Sequence, residues 1–326
     1  MLEQNAIRRP FCLEIEPTEG CNLRCGFCGI SAIPGGGKIW NHLSVELAGR
    51  LADQALRFCP NARVEFCGHG EPLLNPDCIE IHSIFRDRLS ATQLQVTTNG
   101  VVFLGKWDQW LESLLDINVL VIDLYDPYGP RLREEIEANP GKWRITDFFR
   151  DGYNPWHNHG PKGNVIVFMD DLSRMDGKKV QRKIDNRAGN STIIPSANKP
   201  LRKNCAFPFR RFSVRWDGRV HICCMDWGLE YCVGDVSKQS FEEVWFGPKY
   251  LAVRKMLSWK RRCFAPCCFC DYSGGTMKGL LPKLSEPTEQ DFLIVKETNE
   301  NSPRYNGRKP NVDSMLAKGD AIGQFF

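Results

Sequence analysis

Residues 20–29 read GCNLRCGFCG, and the three cysteines in that stretch, Cys21, Cys25 and Cys28, decide the fold. Their spacing is C-x3-C-x2-C, with Phe27 just before the last thiol. Three thiolates cannot close a tetrahedral structural zinc site, which takes four ligands. They can hold three irons of a four-iron cluster and leave the fourth iron open to another ligand. Thiolate sulfur is also the ligand type that suits such clusters. The triplet follows an apolar, strand-like run, Phe11–Ile15, and precedes a glycine loop, Gly35–Gly37. Incidental thiols, or part of a zinc knuckle, are the plain alternative.

The chain has 326 residues, 42% hydrophobic and 25% charged, which is enough for one large domain with a substantial core and a smaller one. A net charge of +4 is weak for this length and does not call for nucleic acid. No run approaches membrane-spanning length; Val119–Leu124 is typical and strand-sized. The N-terminus, MLEQNAIRRPF, lacks the apolar core of a signal peptide. The fifteen cysteines, an odd number, are therefore expected in a reducing, cytoplasmic compartment. There they read as metal-binding or catalytic and not as a disulfide framework.

Strands and helices alternate up to about Met169. Phe11–Glu16, Arg63–Cys67, Gln93–Thr97, Val119–Leu124 and Asn164–Met169 read as strands. Ser44–Phe58, with Ser44 as N-cap, Pro76–Leu89 and Trp107–Leu115 read as helices. Repeated strand–helix units imply an α/β fold with a parallel sheet, short of a full eight-unit barrel. A second region starts near Leu201 and carries eight cysteines. In it, Phe212–Trp216, the turn Asp217-Gly218 and Val220–Cys223 read as a hairpin, and Ser240 with Glu243 as a capping box. From about Pro282 the composition suggests an extended or disordered tail. The expected division is 1–200, 201–275 and 276–326.

The triplet resembles the signature of the radical S-adenosylmethionine (SAM) superfamily. The resemblance implies a partial (β/α)6 barrel and a [4Fe-4S] cluster whose open iron is chelated by SAM. The reduced cluster then cleaves SAM to a deoxyadenosyl radical that takes hydrogen from a substrate carbon. A flavodoxin- or ferredoxin-type reductant is implied as partner. CGHGEP, Cys67–Pro72, resembles the family's GGEP motif, whose backbone receives the SAM amino group; Gly68, Gly70 and Glu71 carry over. His69 departs from it, standing where glycine is usual. Thr98 and Asn99, closing the third strand, and Asp123, late in the fourth, are the further expected SAM contacts. Asp126 competes with Asp123. Asn186–Asn190, NRAGN, resembles a stretch found before the second domain in related enzymes.

Cys205-x12-Gly218-x4-Cys223, a gap, then Cys267-x2-Cys270 resembles the SPASM/twitch extension of that superfamily. The resemblance implies an auxiliary [4Fe-4S] cluster on Cys205, Cys223, Cys267 and Cys270. No cysteine follows Cys270, which favours the twitch form with a single auxiliary cluster. The choice of Cys223 over Cys224, and of Cys267 over Cys268, rests on spacing alone, and a four-cysteine zinc site is the alternative.

The reading is a radical SAM oxidoreductase acting on a small molecule. One rival modifies a peptide or a nucleic-acid base. A leader-binding domain, which peptide-modifying relatives often carry, is not expected before Phe11, and Arg202, Lys203, Arg210, Arg211 and Arg215 are the basic residues that could line a groove. The other rival is a non-catalytic iron–sulfur carrier or zinc module. His157 and His159, in Asp151–Lys162, are candidates for substrate chemistry by position alone.

Overall fold

The computed structural model describes residues 6–169, 185–196, 200–272, 281–282 and 284–302. Its eleven strands, in chain order, are β1 (Cys12–Ile15), β2 (Thr18–Glu19), β3 (Asn41–His42), β4 (Arg63–Phe66), β5 (Leu94–Thr98), β6 (Val119–Asp123), β7 (Arg144–Asp147), β8 (Val165–Met169), β9 (Arg211–Val214), β10 (Arg219–His221) and β11 (Cys232–Asp235). Nine of them form one sheet in the order β11-β10-β9-β1-β4-β5-β6-β8-β7. The run from β1 to β7 is six parallel strands, the count of the expected partial barrel.

Alternation sorts the strand residues between two environments. Leu120 and Ile122 of β6 join the main core under the helices, while Val119 and Val121 pack with Val165 and Val167 of β8 on the other face. Both faces are buried, so these strands read as continuous apolar runs. The inner face of β1 and β4 is instead polar. Arg63 pairs with Glu65 at 2.8 Å, and Arg211 of β9 pairs with Glu14.

The helix Val45–Phe58 is capped by Ser44 as expected, its side chain accepting from Leu47 N–H. The anticipated helix after β5 is shorter, Trp107–Trp110. The helix Gly129–Ala138 and the sixth parallel strand, β7, were not anticipated. β7 is an edge strand of sequence RITD, too short and polar for its alternation to stand out.

The C-terminal hairpin forms as expected, with Val220 opposite Val214. It does not stand apart, because β9 pairs in parallel with β1 in the register Cys12↔Arg211 to Ile15↔Val214. One sheet therefore crosses the division expected at residue 200. The tail needs correction. Glu289–Glu300 is a helix with a Thr288/Asp291 capping box, and it buries Phe292 and Val295. Those two apolar residues, three apart, lie on one face and pack near Helix Pro248–Ser258. Residues 303–326 lie outside the described residues.

Two features set the limits of the barrel interior. The connection from β7 to β8 packs against the N-terminal ends of β4 and β5, where Arg63 and Gln93 donate to Pro155 O at 3.4 and 3.0 Å. His159 N–H donates to Gln93 Oε1 in the same place. This puts His157 and His159 at the end opposite the cysteine loop, so they do not reach it. In addition, Arg215 is fully buried, with Nε 3.4 Å from Glu16 and Nη2 on Glu19. Arg211 and Arg215 therefore face inward and cannot line a basic groove. Arg215→Ala would leave two buried carboxylates short of their cation, and is expected to destabilise the fold by about 3–5 kcal/mol in urea denaturation.

Candidate active site

The cysteine loop follows β1 and is held from below by the glycine loop. Cys21 N–H donates to Gly37 O at 3.3 Å, and Gly35, Gly36 and Gly37 all have positive φ. Cys28 N–H closes the turn on Cys25 O at 3.0 Å. The three thiols are partly exposed at the C-terminal end of the parallel strands. Burial, together with the neighbouring thiols, pushes Cys25 up to about 12; burial pushes Cys21 up to about 11. A metal arriving here displaces protons.

Gly70 is needed for close approach. Its backbone bridges to Gly20, and a Cβ there would stand 2.3 Å from Thr18 O. Gly68 has φ +132°, a conformation that side chains rarely adopt. Glu71 reaches across to the end of β5. Its carboxylate accepts from Thr98 Oγ1 at 2.6 Å, Asn99 N–H at 2.9 Å and Leu73 N–H at 3.2 Å. Burial raises its pKa to about 7 against the pull of those donors. Thr98 is thus turned toward Glu71, and both hold the strand end in place. Asn99 Nδ2 donates to Asn22 at 2.9 Å and lies 3.6 Å from Cys21 Sγ, which ties the end of β5 to the cysteine loop.

Asp123 faces the same space, while Asp126 is exposed. Burial raises Asp123 to about 6, and Tyr125 donates to it at 3.0 Å. Sequence reasoning reached Arg187 only within NRAGN and did not single out Tyr125 or Trp227. Tyr125 packs against Phe27, the rings tilted by 40° with centroids 5.7 Å apart. Arg187 and Ala188 have φ of 51° and 52° within NRAGN, and Asn186 pins that turn to the Cys267–Cys270 segment through Phe269 O and Asp271. The Arg187 guanidinium acts electrostatically on both Cys28 and Cys224, and its buried Nε has no hydrogen-bond partner. NRAGN was the signal for Arg187; Trp227 carried none.

The second set assembles from three segments. Cys205 precedes the turn Phe207–Arg210, Cys223 follows β10, and Cys267 and Cys270 flank a short 3-10 turn. All four are buried, and Cys223 feels Cys205, Cys267 and Cys270 together. Cys224 also acts on Cys223, and is itself influenced by Glu14, Arg211, Arg187 and Asp185. Arg262 stands beside the set, fixed by the carbonyls of Lys203, Asn204 and Tyr272.

The spacing of the sulfurs tests what the sets can hold. Among the described residues, the group of three candidate ligand atoms within 4.8 Å of one another is Glu14, Glu65 and Cys67. Its carboxylates are already paired with Arg211 and Arg63. Neither cysteine set closes that tightly, whereas sulfurs around one zinc would stand about 3.8 Å apart. Both sets offer thiolates alone, the donor type that suits iron–sulfur clusters.

Comparison with known proteins agrees with this geometry. The Radical SAM superfamily profile matches residues 15–128, and the profile of an iron–sulfur cluster-binding domain, SPASM, matches residues 205–271. GTP 3',8-cyclase of Klebsiella pneumoniae (strain 342) is 33% identical over 123 residues, 36% of each chain. The same enzyme of Photorhabdus laumondii is 30% identical over 124 residues, 37% of this chain and 36% of the relative. The match thus spans about a third of those relatives. A crystal structure of BtrN with AdoMet and 2-DOIA superposes with a TM-score of 0.61 at 20% identity, covering 82% of this chain and 94% of BtrN. One of anSMEcpe with bound AdoMet gives 0.50 at 13% identity, covering 89% and 97%. The chain belongs to the radical SAM superfamily: it is a radical SAM enzyme with a SPASM-type iron–sulfur domain after its barrel.

Proposed function

We propose that this enzyme removes a hydrogen from a carbon of a small polar molecule and oxidises it by two electrons. In this reading residues 1–200 hold a [4Fe-4S] cluster through Cys21, Cys25 and Cys28, and residues 201–275 hold an auxiliary one through Cys205, Cys223, Cys267 and Cys270. When bound, the first cluster with SAM would supply the radical chemistry that takes the hydrogen atom, and the auxiliary cluster would be the acceptor for the second electron, the accompanying proton passing to solvent. The observation that carries the reading is the segment 186–192, which ties the two cysteine loops together. Asn186 donates to Phe269 O at 2.8 Å, between Cys267 and Cys270, and Thr192 N–H donates to Gly26 O at 3.0 Å, between Cys25 and Cys28. The substrate would lie there, facing Asp123, Tyr125 and Arg187.

The chain's own residues orient and desolvate. The Gly68–Glu71 backbone receives SAM, and the Glu71 carboxylate holds the end of β5, with Asn99, against it. Asp123 and Arg187 offer an acceptor and a cation for polar groups of SAM or substrate. The connection beneath β4 and β5 closes the far mouth of the barrel, so the substrate enters from the cysteine side. That closure, with Arg211 and Arg215 turned inward, favours a small polar molecule over a nucleic acid. The 2-DOIA complex of BtrN is consistent with such a substrate. Among the described residues no helix is long and apolar enough to cross a membrane, and a cytoplasmic setting with a flavodoxin- or ferredoxin-type reductant completes the proposal.

Metabolites extracted from cells grown in heavy water, separated by size, test the substrate class. Deuterium is expected in deoxyadenosine with the small-molecule fraction. Transfer from the peptide or nucleic-acid fraction alone would refute the small-molecule reading. Glu71→Ala, which frees Thr98 and Asn99, is expected to weaken SAM binding about tenfold or more, as loss of a buried charged hydrogen-bond network does, with iron content unchanged.

A further inference from the structure

His69 fills the position at which the resembled motif carries glycine, and its side chain is fully buried. Nδ1 lies 2.6 Å from Glu16 Oε2, which also accepts the His69 backbone N–H at 3.0 Å. Nη1 of Arg215 also stands 3.2 Å from Nδ1, so the ring is held between a carboxylate and a guanidinium. The ring stands edge-to-face with Trp227, centroids 4.7 Å apart, and 4.9 Å from the ring of His221.

Each outer ring touches a different cysteine set. Trp227 lies on Gly29, the residue after Cys28, so closely that a Cβ there would stand 2.3 Å from the indole. Nδ1 of His221 donates to the carbonyl of Cys223 at 2.7 Å. Trp227, His69 and His221 thus make a contiguous column from the first cysteine loop, through the Gly68–Glu71 loop, to the second set. His69 and His221 also line, with Cys67 and Cys224, a cavity of about 10 Å³, so the column is closely packed.

We propose that this column couples SAM binding at the first site to the filling of the second cysteine set, with His69 as the positioning residue. The inference rests on the assignment of the two cluster sites made above. A filled second set fixes Cys223, and with it His221; His221 and Trp227 then hold His69, and His69 holds the Gly68–Glu71 backbone that receives SAM. With the second set empty the hairpin end relaxes and that backbone loosens. A coupling of this kind changes affinity about 5- to 150-fold, and it acts equally in both directions.

Equilibrium binding of SAM to anaerobically reconstituted full-length protein tests it. Three variants are compared with wild type: Cys205→Ala with Cys270→Ala, His69→Asn, and the combination. His69→Asn keeps a donor for Glu16 and removes the ring. Each change alone is expected to weaken SAM binding about tenfold, and the combination no further, because both break one column. Iron bound at the first set, and the melting midpoint of His69→Asn, report whether the fold survives. If the cysteine variant does not fold, Trp227→Leu in protein with both clusters takes its place, with the same expected loss. Unchanged affinity in His69→Asn, or losses that multiply in the combination, would overturn the coupling. Wild-type protein that binds iron at both sets but no SAM would instead overturn the site assignment itself.

Discussion

Protein with Cys21, Cys25 and Cys28 all replaced by alanine is expected to bind about four irons, where the wild type binds about eight. It is also expected to make no deoxyadenosine. The two cysteine sets come from separate segments and none of their members is shared, so emptying one leaves the other's ligands in place. Iron analysis and Mössbauer spectra after anaerobic reconstitution give the count. Full iron in the triple variant would mean that the loop after β1 is not a cluster site.

The second large effect concerns Cys205→Ala with Cys270→Ala. At saturating SAM this variant is expected to cleave SAM and to pass deuterium from substrate into deoxyadenosine, yet to release no oxidised product. Removing two of the four proposed thiolate ligands is expected to abolish the auxiliary cluster, and with it the proposed acceptor for the second electron. Cys224 stands next to Cys223 and interacts with it, so the iron content of the variant is measured first. Mass spectra of the products decide the matter. Oxidised product at the wild-type rate, with the second cluster shown to be absent, would make the auxiliary site structural.

Much of this was legible in the residues themselves. The C-x3-C-x2-C spacing, the apolar strand before it and the glycines after it are local features, and local chemistry survives folding. The same holds for the Asp217-Gly218 hairpin and the Ser44 and Ser240 caps, which depend on residues a few positions apart. What was not legible depends on distant partners. The pairing of β9 with β1 joins segments about 200 residues apart, and Arg211 at the start of β9 and Arg215 just after it make sense only opposite Glu14 and Glu16. Read alone, Arg211 and Arg215 look like surface cations. The helix Glu289–Glu300 has few large apolar residues, and its burial is set by what it packs on.

The candidate site divides the same way. Glu71 was found from its motif, but its carboxylate serves Thr98 and Asn99, a role that only the closeness of β4 and β5 creates. His69 looked like a mere departure from the motif until Trp227 and His221 came beside it. His157 and His159 sit in a connection whose destination, the far mouth of the barrel, no local pattern could show.

Deoxyadenosine formation, without substrate, by protein carrying both clusters tests the central claim most directly. With SAM and a strong one-electron reductant under strict anaerobiosis, the account predicts deoxyadenosine and methionine in equal amounts. Protein with both clusters intact that yields neither would contradict it, and would leave an iron–sulfur carrier as the better reading.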